Sequence, residues 1–167
     1  MKKTITLLTG FLLVFILTAQ AITDPVIEKT KTYFKSYTVS KNDKIKLENS
    51  FGEMKLNTWG KQEVKVEVTI VAKAASAEKA QEILDKIRIE DGKTAEGVYF
   101  KTKADNINTG NNGNKKNKNY KEEGMEINYN VFLPAENPLD ASNSFGALII
   151  GDYKGAVALQ SKFGRLT

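Results

Sequence analysis

The four residues Asn-Ser-Phe-Gly occur at 49–52 and again at 143–146, and a near copy, Ser-Lys-Phe-Gly, stands at 161–164. Aligned on the phenylalanine, the first two copies continue alike. Met54 matches Leu148, Leu56 matches Ile150 and Trp59 matches Tyr153. The third keeps Phe163, Gly164 and Leu166. A turn that repeats with the same apolar rhythm behind it restricts the chain to an architecture in which like units stack and bury their faces on one another. Phe145 and Phe163 are 18 residues apart, which suits one coil of a β-solenoid with short strands and tight corners. Glycine is expected to supply the backbone freedom for the sharp turn. The phenylalanine is expected to point inward and stack on its counterpart, while Asn and Ser bond to turn backbone or form ladders between coils. Neither this reading nor a pair of unrelated hairpins makes Phe-Gly a ligand site.

Most of the remaining chain alternates with the period of a half-buried strand. Ile45 and Leu47 share one face in "KIKLE", Met54 and Leu56 in "EMKLN", and Val64, Val66, Val68 and Ile70 in "EVKVEVTIVA". Further strands are expected at 97–103 and at 124–133, where Met125, Ile127, Tyr129, Val131 and Leu133 share a face. One segment keeps helical spacing instead: Ala77, Ala80, Ile83, Leu84 and Ile87, with Ser76 placed as an N-cap. The pattern predicts a single amphipathic helix over about 76–86, running into a strand at "IRIE" and covering one face of a sheet.

Residues 104–123 are polar, asparagine-rich and punctuated by glycine, which predicts a long loop. A calcium loop needs oxygen ligands at alternating positions and a closing carboxylate. Counting from Asp105 the alternating positions hold Ile107 and Thr109, and Lys115, Lys116 and Lys118 add positive charge where a cation would sit. No metal site is expected here.

The first 21 residues carry Lys2 and Lys3, an apolar run from Ile5 to Ala19 and the small-x-small sequence Ala19-Gln20-Ala21. That order is a secretory signal peptide, and the apolar run is short for a bilayer span. Export to the periplasm, cell surface or medium is expected, with residues 22–36 as a lead-in to the domain and no stable membrane insertion after cleavage. The chain has no cysteine, so it is held by burial and strand pairing without disulfides. Removal of Lys2 and Lys3 lowers the formal charge from +5 to +3, too mild for a nucleic-acid partner.

At this level the chain resembles the bacterial putative-adhesin family, exported β-rich domains of unknown function of the bacteroidete type. The resemblance rests on the order of parts, from "TVSKNDKIKLENSFGEMKLNTWGKQEVKVEVTI" through "AEKAQEILDKI" to "INYNVFLPAENPLDASNSFGALIIGDYKG", and covers about residues 37–167. It implies a mainly β domain. Residues 37–134 form strands with one helix, an extended strand ends at Pro134, and residues 138–167 start a β-solenoid. Such proteins continue for several more coils, so a C-terminal truncation is expected at Thr167, with a self-capping dimer as the alternative. The resemblance brings no catalytic set and no functional residue.

The absence of histidine and cysteine removes Ser-His and Cys-His pairs, most zinc sites and the usual general base at neutral pH. Paired carboxylates acting on polysaccharide remain. The candidates, Asp140 and Asp152, both sit where aspartate commonly serves a turn. Trp59 and Tyr153 are read as packing residues rather than exposed sugar platforms. The expectation is therefore an adhesin-like protein without catalysis or cofactor. A surface glycan or an envelope protein would be its partner; the alternative is an envelope scaffold with no small ligand.

Overall fold

The computed structural model describes residues 26–105 and 124–167. The expected leader and all but the first two residues of the asparagine-rich stretch lie outside them. Over these residues the chain is mainly β with one helix. In order it forms β1 (Ile27–Thr38), β2 (Lys44–Ser50), β3 (Met54–Trp59), β4 (Glu63–Ala74), α1 (Ala77–Asp85), β5 (Ile87–Lys93), β6 (Gly97–Ala104), β7 (Gly124–Pro134), β8 (Leu139–Ser144), β9 (Leu148–Ile150) and β10 (Val157–Lys162).

Two five-stranded sheets result. Sheet I has the order β1-β4-β7-β3-β9 and sheet II the order β10-β8-β2-β6-β5. Their inner faces meet in one core, because the alternation that the sequence displays sends every second side chain to the same side. Val64, Val66, Val68 and Ile70 from β4, with Ile127, Tyr129, Val131 and Leu133 from β7, face Ile45 and Leu47 of β2 and Phe100 of β6. Tyr37 meets Phe100 edge-on with centroids 5.8 Å apart. A polar bridge crosses the core where Thr102 donates to the buried Asn49 and exchanges a 2.8 Å hydrogen bond with Tyr129. Helix α1 begins where Ser76 Oγ accepts from the Lys79 N–H, and it buries Ala80 and Leu84 against β1 and β4.

β1 occupies residues that alternation left as a lead-in. It pairs antiparallel with β4 along its whole length. Its core-side positions are Ile27, Lys29, Lys31, Tyr33, Lys35 and Tyr37, so lysine stems stand where an apolar run would have marked a strand.

The repeated motif is where the chain passes from sheet II to sheet I. β2 leads through Phe51-Gly52 into β3, β8 through Phe145-Gly146 into β9, and β10 through Phe163-Gly164 to a bridge at Leu166. These three tiers stack in parallel register. Ile45 lies beside Leu139 and Leu139 beside Val157; Met54 pairs with Leu148 and Leu56 with Ile150, as the aligned motifs require. β6 and β7 flank the first tier on its other side, also parallel, although they come later in the chain.

The corner differs from its sequence reading in two respects. The left-handed backbone falls on the phenylalanines, with φ of 68° at Phe51, 57° at Phe145 and 54° at Phe163, and not on the glycines after them. Their rings stack outside the core: Phe51 on Phe145 at 5.3 Å and Phe145 on Phe163 at 5.1 Å, with Phe145 53 % and Phe163 83 % exposed. Glycine is needed for closeness. A Cβ on Gly146 would overlap the Gly52 carbonyl oxygen, and one on Gly164 would overlap that of Gly146. The buried Asn143 locks adjacent tiers by donating to Gly52 O at 2.8 Å and to Ala147 O at 2.9 Å. Asn49 does the same one level down, to Ile127 O at 2.8 Å.

Candidate functional site

The two outward faces differ in chemistry. On sheet II the outward residues of β2, β5, β6 and β8 are mostly charged and paired. Lys44 meets Asp140 at 3.1 Å, Lys46 meets Glu48 at 2.8 Å, Lys101 also reaches Glu48, and Arg88 reaches Glu90 and Asp105. Glu48 is accordingly held below the usual carboxylate range, first by Lys101 and then by Lys46. A shallow groove of about 400 Å³ runs here between Lys44, Lys46, Tyr99 and Lys101. Lys44, Lys46 and Lys101 already have partners there, and its one ring, Tyr99, lies across Gly92 of the neighbouring strand.

Sheet I presents an aromatic and amide surface. Four adjacent strands contribute because their outward positions fall in register: Lys65 of β4 lies beside Phe132 of β7, and Phe132 beside Asn57 of β3. One row away Phe34 of β1 stands beside Glu67, and Glu67 beside Asn130. Trp59 closes the other end, its ring tilted against Phe132 at 5.4 Å and its Nε1 donating to Glu63 O at 2.8 Å. Phe34 is 61 % exposed, while Phe132 and Trp59 are half-buried. Phe34 and Phe132 lie two strands and one row apart, about 12 Å by the usual strand dimensions.

A polar line runs between the rings. Asn57 donates to Asn130 at 2.9 Å, Asn130 donates to Glu67 at 3.2 Å, and Lys65 pairs with Glu67 at 2.5 Å. Lys65, first, and Asn130 together hold the Glu67 carboxyl below its ordinary range. The Lys65 ammonium also lies 5.2 Å from the Phe34 ring centre and 5.5 Å from that of Phe132, and Lys61 lies 4.9 Å from that of Trp59. This arrangement offers flat apolar rings for C–H faces, with amide, carboxylate and ammonium groups between them for hydroxyls.

The sequence candidates separate on this map. Tyr153 packs against the core and donates from its hydroxyl to Asn137 O at 2.5 Å, and burial raises that hydroxyl to about 12. Trp59 departs from the expectation of a core residue: it lies on the outward side of β3, where Met54 and Leu56 point inward and Asn57 does not. The match between Trp59 and Tyr153 lapses because β9 ends at Ile150, so register is lost before the aromatic is reached. Asp140 stands within β8 rather than in a turn and is engaged by Lys44, while Asp152 is exposed beyond β9. Phe34 and Phe132 were not singled out by sequence, although "TYF" and "NVF" each place a phenylalanine out of phase with the inward residues. Among the described residues no group of three or more His, Cys, Asp or Glu side chains is placed to hold a metal ion, and no helix is long and apolar enough to cross a membrane.

Together these features define a mainly β protein of two packed sheets, with stacked parallel tiers and an outward aromatic face. Neither a protein-family model nor a curated protein matches the sequence. Among solved structures it is similar to a "putative cell adhesion protein" from Clostridium sporogenes, at 16 % identity and a TM-score of 0.44 over 83 % of this chain and 59 % of that one. It is also similar to a "putative adhesin" from Bacteroides fragilis, at 15 % identity and a TM-score of 0.26 over 82 % of this chain and 56 % of the other. A third is a "putative lipid binding protein" from Parabacteroides distasonis, at 17 % identity and a TM-score of 0.30 over 72 % and 41 %. This chain thus spans less than two thirds of the length of each. None superposes closely enough to place a site here.

Proposed function

We propose that this chain is an exported, noncatalytic, adhesin-like protein of the cell envelope or medium, whose three tiers begin a β-solenoid and whose outer sheet I face contacts a surface glycan. The observation that carries the reading is the run of Phe34, Phe132 and Trp59 along one flat face with Asn57 and Asn130 between them. Sugar rings stack their C–H faces on aromatics and send hydroxyls to neighbouring amides, and two strand spacings give room for more than one ring. The noncatalytic part of the reading is supported by Asp140 being held by Lys44. Hydrolysis by paired acids needs two carboxylates at a fixed distance across the scissile bond.

The test is a titration of the purified protein with peptidoglycan fragments and a panel of neutral and acidic polysaccharides, read by the fluorescence of Trp59, the sole tryptophan. Saturable change that disappears in Phe132→Ala, with melting temperature held within a few degrees, supports the glycan reading. A flat response across the panel from a folded protein sinks it. Export is tested separately by the intact mass of the protein from its native host, which should lack residues 1–21.

A further inference from the structure

The outer face of sheet I carries two separate apolar platforms. Trp59 and Phe132 form one, their ring centres 5.4 Å apart and their planes tilted by 33°. Phe34, on β1, is the other. The Lys65 ammonium stands between them, 5.2 Å from the Phe34 ring centre and 5.5 Å from that of Phe132. Those two centres are therefore separated by at most the sum of these distances, about 11 Å, close to what two strands and one row of a sheet allow.

The ground between the platforms is polar and low. It holds the Lys65–Glu67 pair, Asn130 donating to Glu67, and Asn57 donating to Asn130. The outward residues in register beside this ground, Thr32 with Thr69 and Ser36 with Lys65, are short apart from the lysine itself. The order along the face is therefore aromatic, polar, aromatic.

A pyranose unit in an extended chain advances by about 5 Å, roughly one strand spacing. The platforms are thus two sugar units apart, with one unit's length of hydrogen-bonding groups between them. Linkage follows from flatness. β-1,4 links between equatorial positions keep successive rings in one ribbon, with alternate units presented alike. An axial α-link curls the chain away from a plane.

We propose, resting on the glycan reading of this face, that its ligand is a linear β-linked polysaccharide held through three consecutive units. The first stacks on Trp59 and Phe132, and the third stacks on Phe34. The middle unit directs its hydroxyls to Lys65, Glu67 and Asn130. Stacking supplies affinity at the two ends, and the polar middle fixes the spacing between them. Phe34 is then the residue that makes the site read length, because a shorter sugar on the first platform never reaches it.

The experiment titrates the full chain, by calorimetry, with cello-oligosaccharides and chito-oligosaccharides of one to six units and with malto-oligosaccharides of the same lengths. One of the β-linked series should bind, with affinity rising at least tenfold from the disaccharide to the trisaccharide and little beyond it. Phe34→Ala should bring the trisaccharide down to the disaccharide, and the ring's exposure means that its loss leaves the core intact. Tyr99→Ala, on the outer face of sheet II, should leave both affinities unchanged. Affinity independent of length, a step that survives Phe34→Ala, or preference for the malto series overturns the three-unit assignment while leaving a glycan site in place. Binding to a polysaccharide of the panel without binding to either β-linked series overturns it as well. If no saccharide binds protein that melts cooperatively, the glycan reading itself fails, and this inference with it.

Discussion

The rings of Phe51 and Phe145 lie 5.3 Å apart with only 6° between their planes, although β3, β4, α1 and several later strands come between them in the chain. Phe163 continues the pile at 5.1 Å and 12°. All three residues carry a positive φ that a phenylalanine rarely adopts. The stack and the strained backbone are therefore two sides of one corner, and substitutions separate them.

Phe145→Ala removes two ring contacts and keeps the strain. It should lower stability by about 1–3 kcal/mol. Phe145→Gly loses the same contacts but relieves the left-handed conformation by about 1 kcal/mol, so the glycine variant should be the more stable of the two. Urea denaturation of both variants checks the order. The reverse order would mean that the backbone strain at this corner is not relieved by removing the side chain.

Gly146→Ala places a methyl group against the Gly52 carbonyl and must push adjacent tiers apart. A loss of about 3 kcal/mol or more is expected, at the severe end for a single added carbon. Gly60→Ala and Gly151→Ala, where nothing lies within 4 Å of the new carbon, should change little. Thermal melts of the three variants make the comparison.

Asn143→Asp replaces a buried donor to two carbonyl oxygens by an acceptor. The loss should be about 2–4 kcal/mol near neutrality, since a charge is left buried against carbonyls. The aspartate's pKa is then raised in the folded state, so stability should recover as pH falls and the side chain protonates. Asn143→Ala should lose less and show no such recovery. A pH series of melting temperatures from about 4 to 8 decides.

The tyrosines set an alkaline limit. Tyr37 is raised to about 12, first by its hydrogen bond to Asp91 and then by burial, and Tyr153 is raised to about 12 by burial. Tyr129 is raised further, chiefly by burial. An unfolded tyrosine releases its proton near pH 10, about two units earlier. This contribution is therefore complete below about pH 10 and lost as pH rises through about 12. The depressed carboxyl of Glu48 acts in the opposite sense: its contribution is present above the ordinary carboxylate range and is lost on acidification. With no histidine in the chain, stability should be nearly level between these limbs. Tyr37→Phe should shrink the alkaline loss, as measured by urea midpoints from pH 8 to about 12.

Much of this fold was legible because inward positions carry β-branched or long apolar side chains at strict alternation. Met54 with Leu148 and Leu56 with Ile150 pair as the motif alignment requires. The helix was legible from Ala80 and Leu84 behind the Ser76 cap. β1 was hidden because Lys29, Lys31 and Lys35 occupy its core-side positions and cover apolar surface with their stems. The inward phenylalanine was a misreading of the same kind. A stacking partner does not require a core, and a backbone at positive φ sends the ring to the outside of the corner. Of the aromatic face only Trp59 stands out in the sequence, since Phe34 and Phe132 become neighbours of Lys65 only once β1, β4 and β7 are paired.

The order of the tiers has a kinetic consequence. β2 and β3 come early in the chain, yet β2 pairs only with β6 and β8, and β3 only with β7 and β9. Everything they bond to is therefore synthesised later. The antiparallel partners β5 and β6 close across a short turn and can form first, while the parallel centre must wait for its distant halves to meet. Loop closure over such separations is costly before any contact rewards it, which places this chain among slow folders of high contact order. Early in that wait β2 is a bare strand with two open edges, so refolding yield should fall with protein concentration well before native stability is in question.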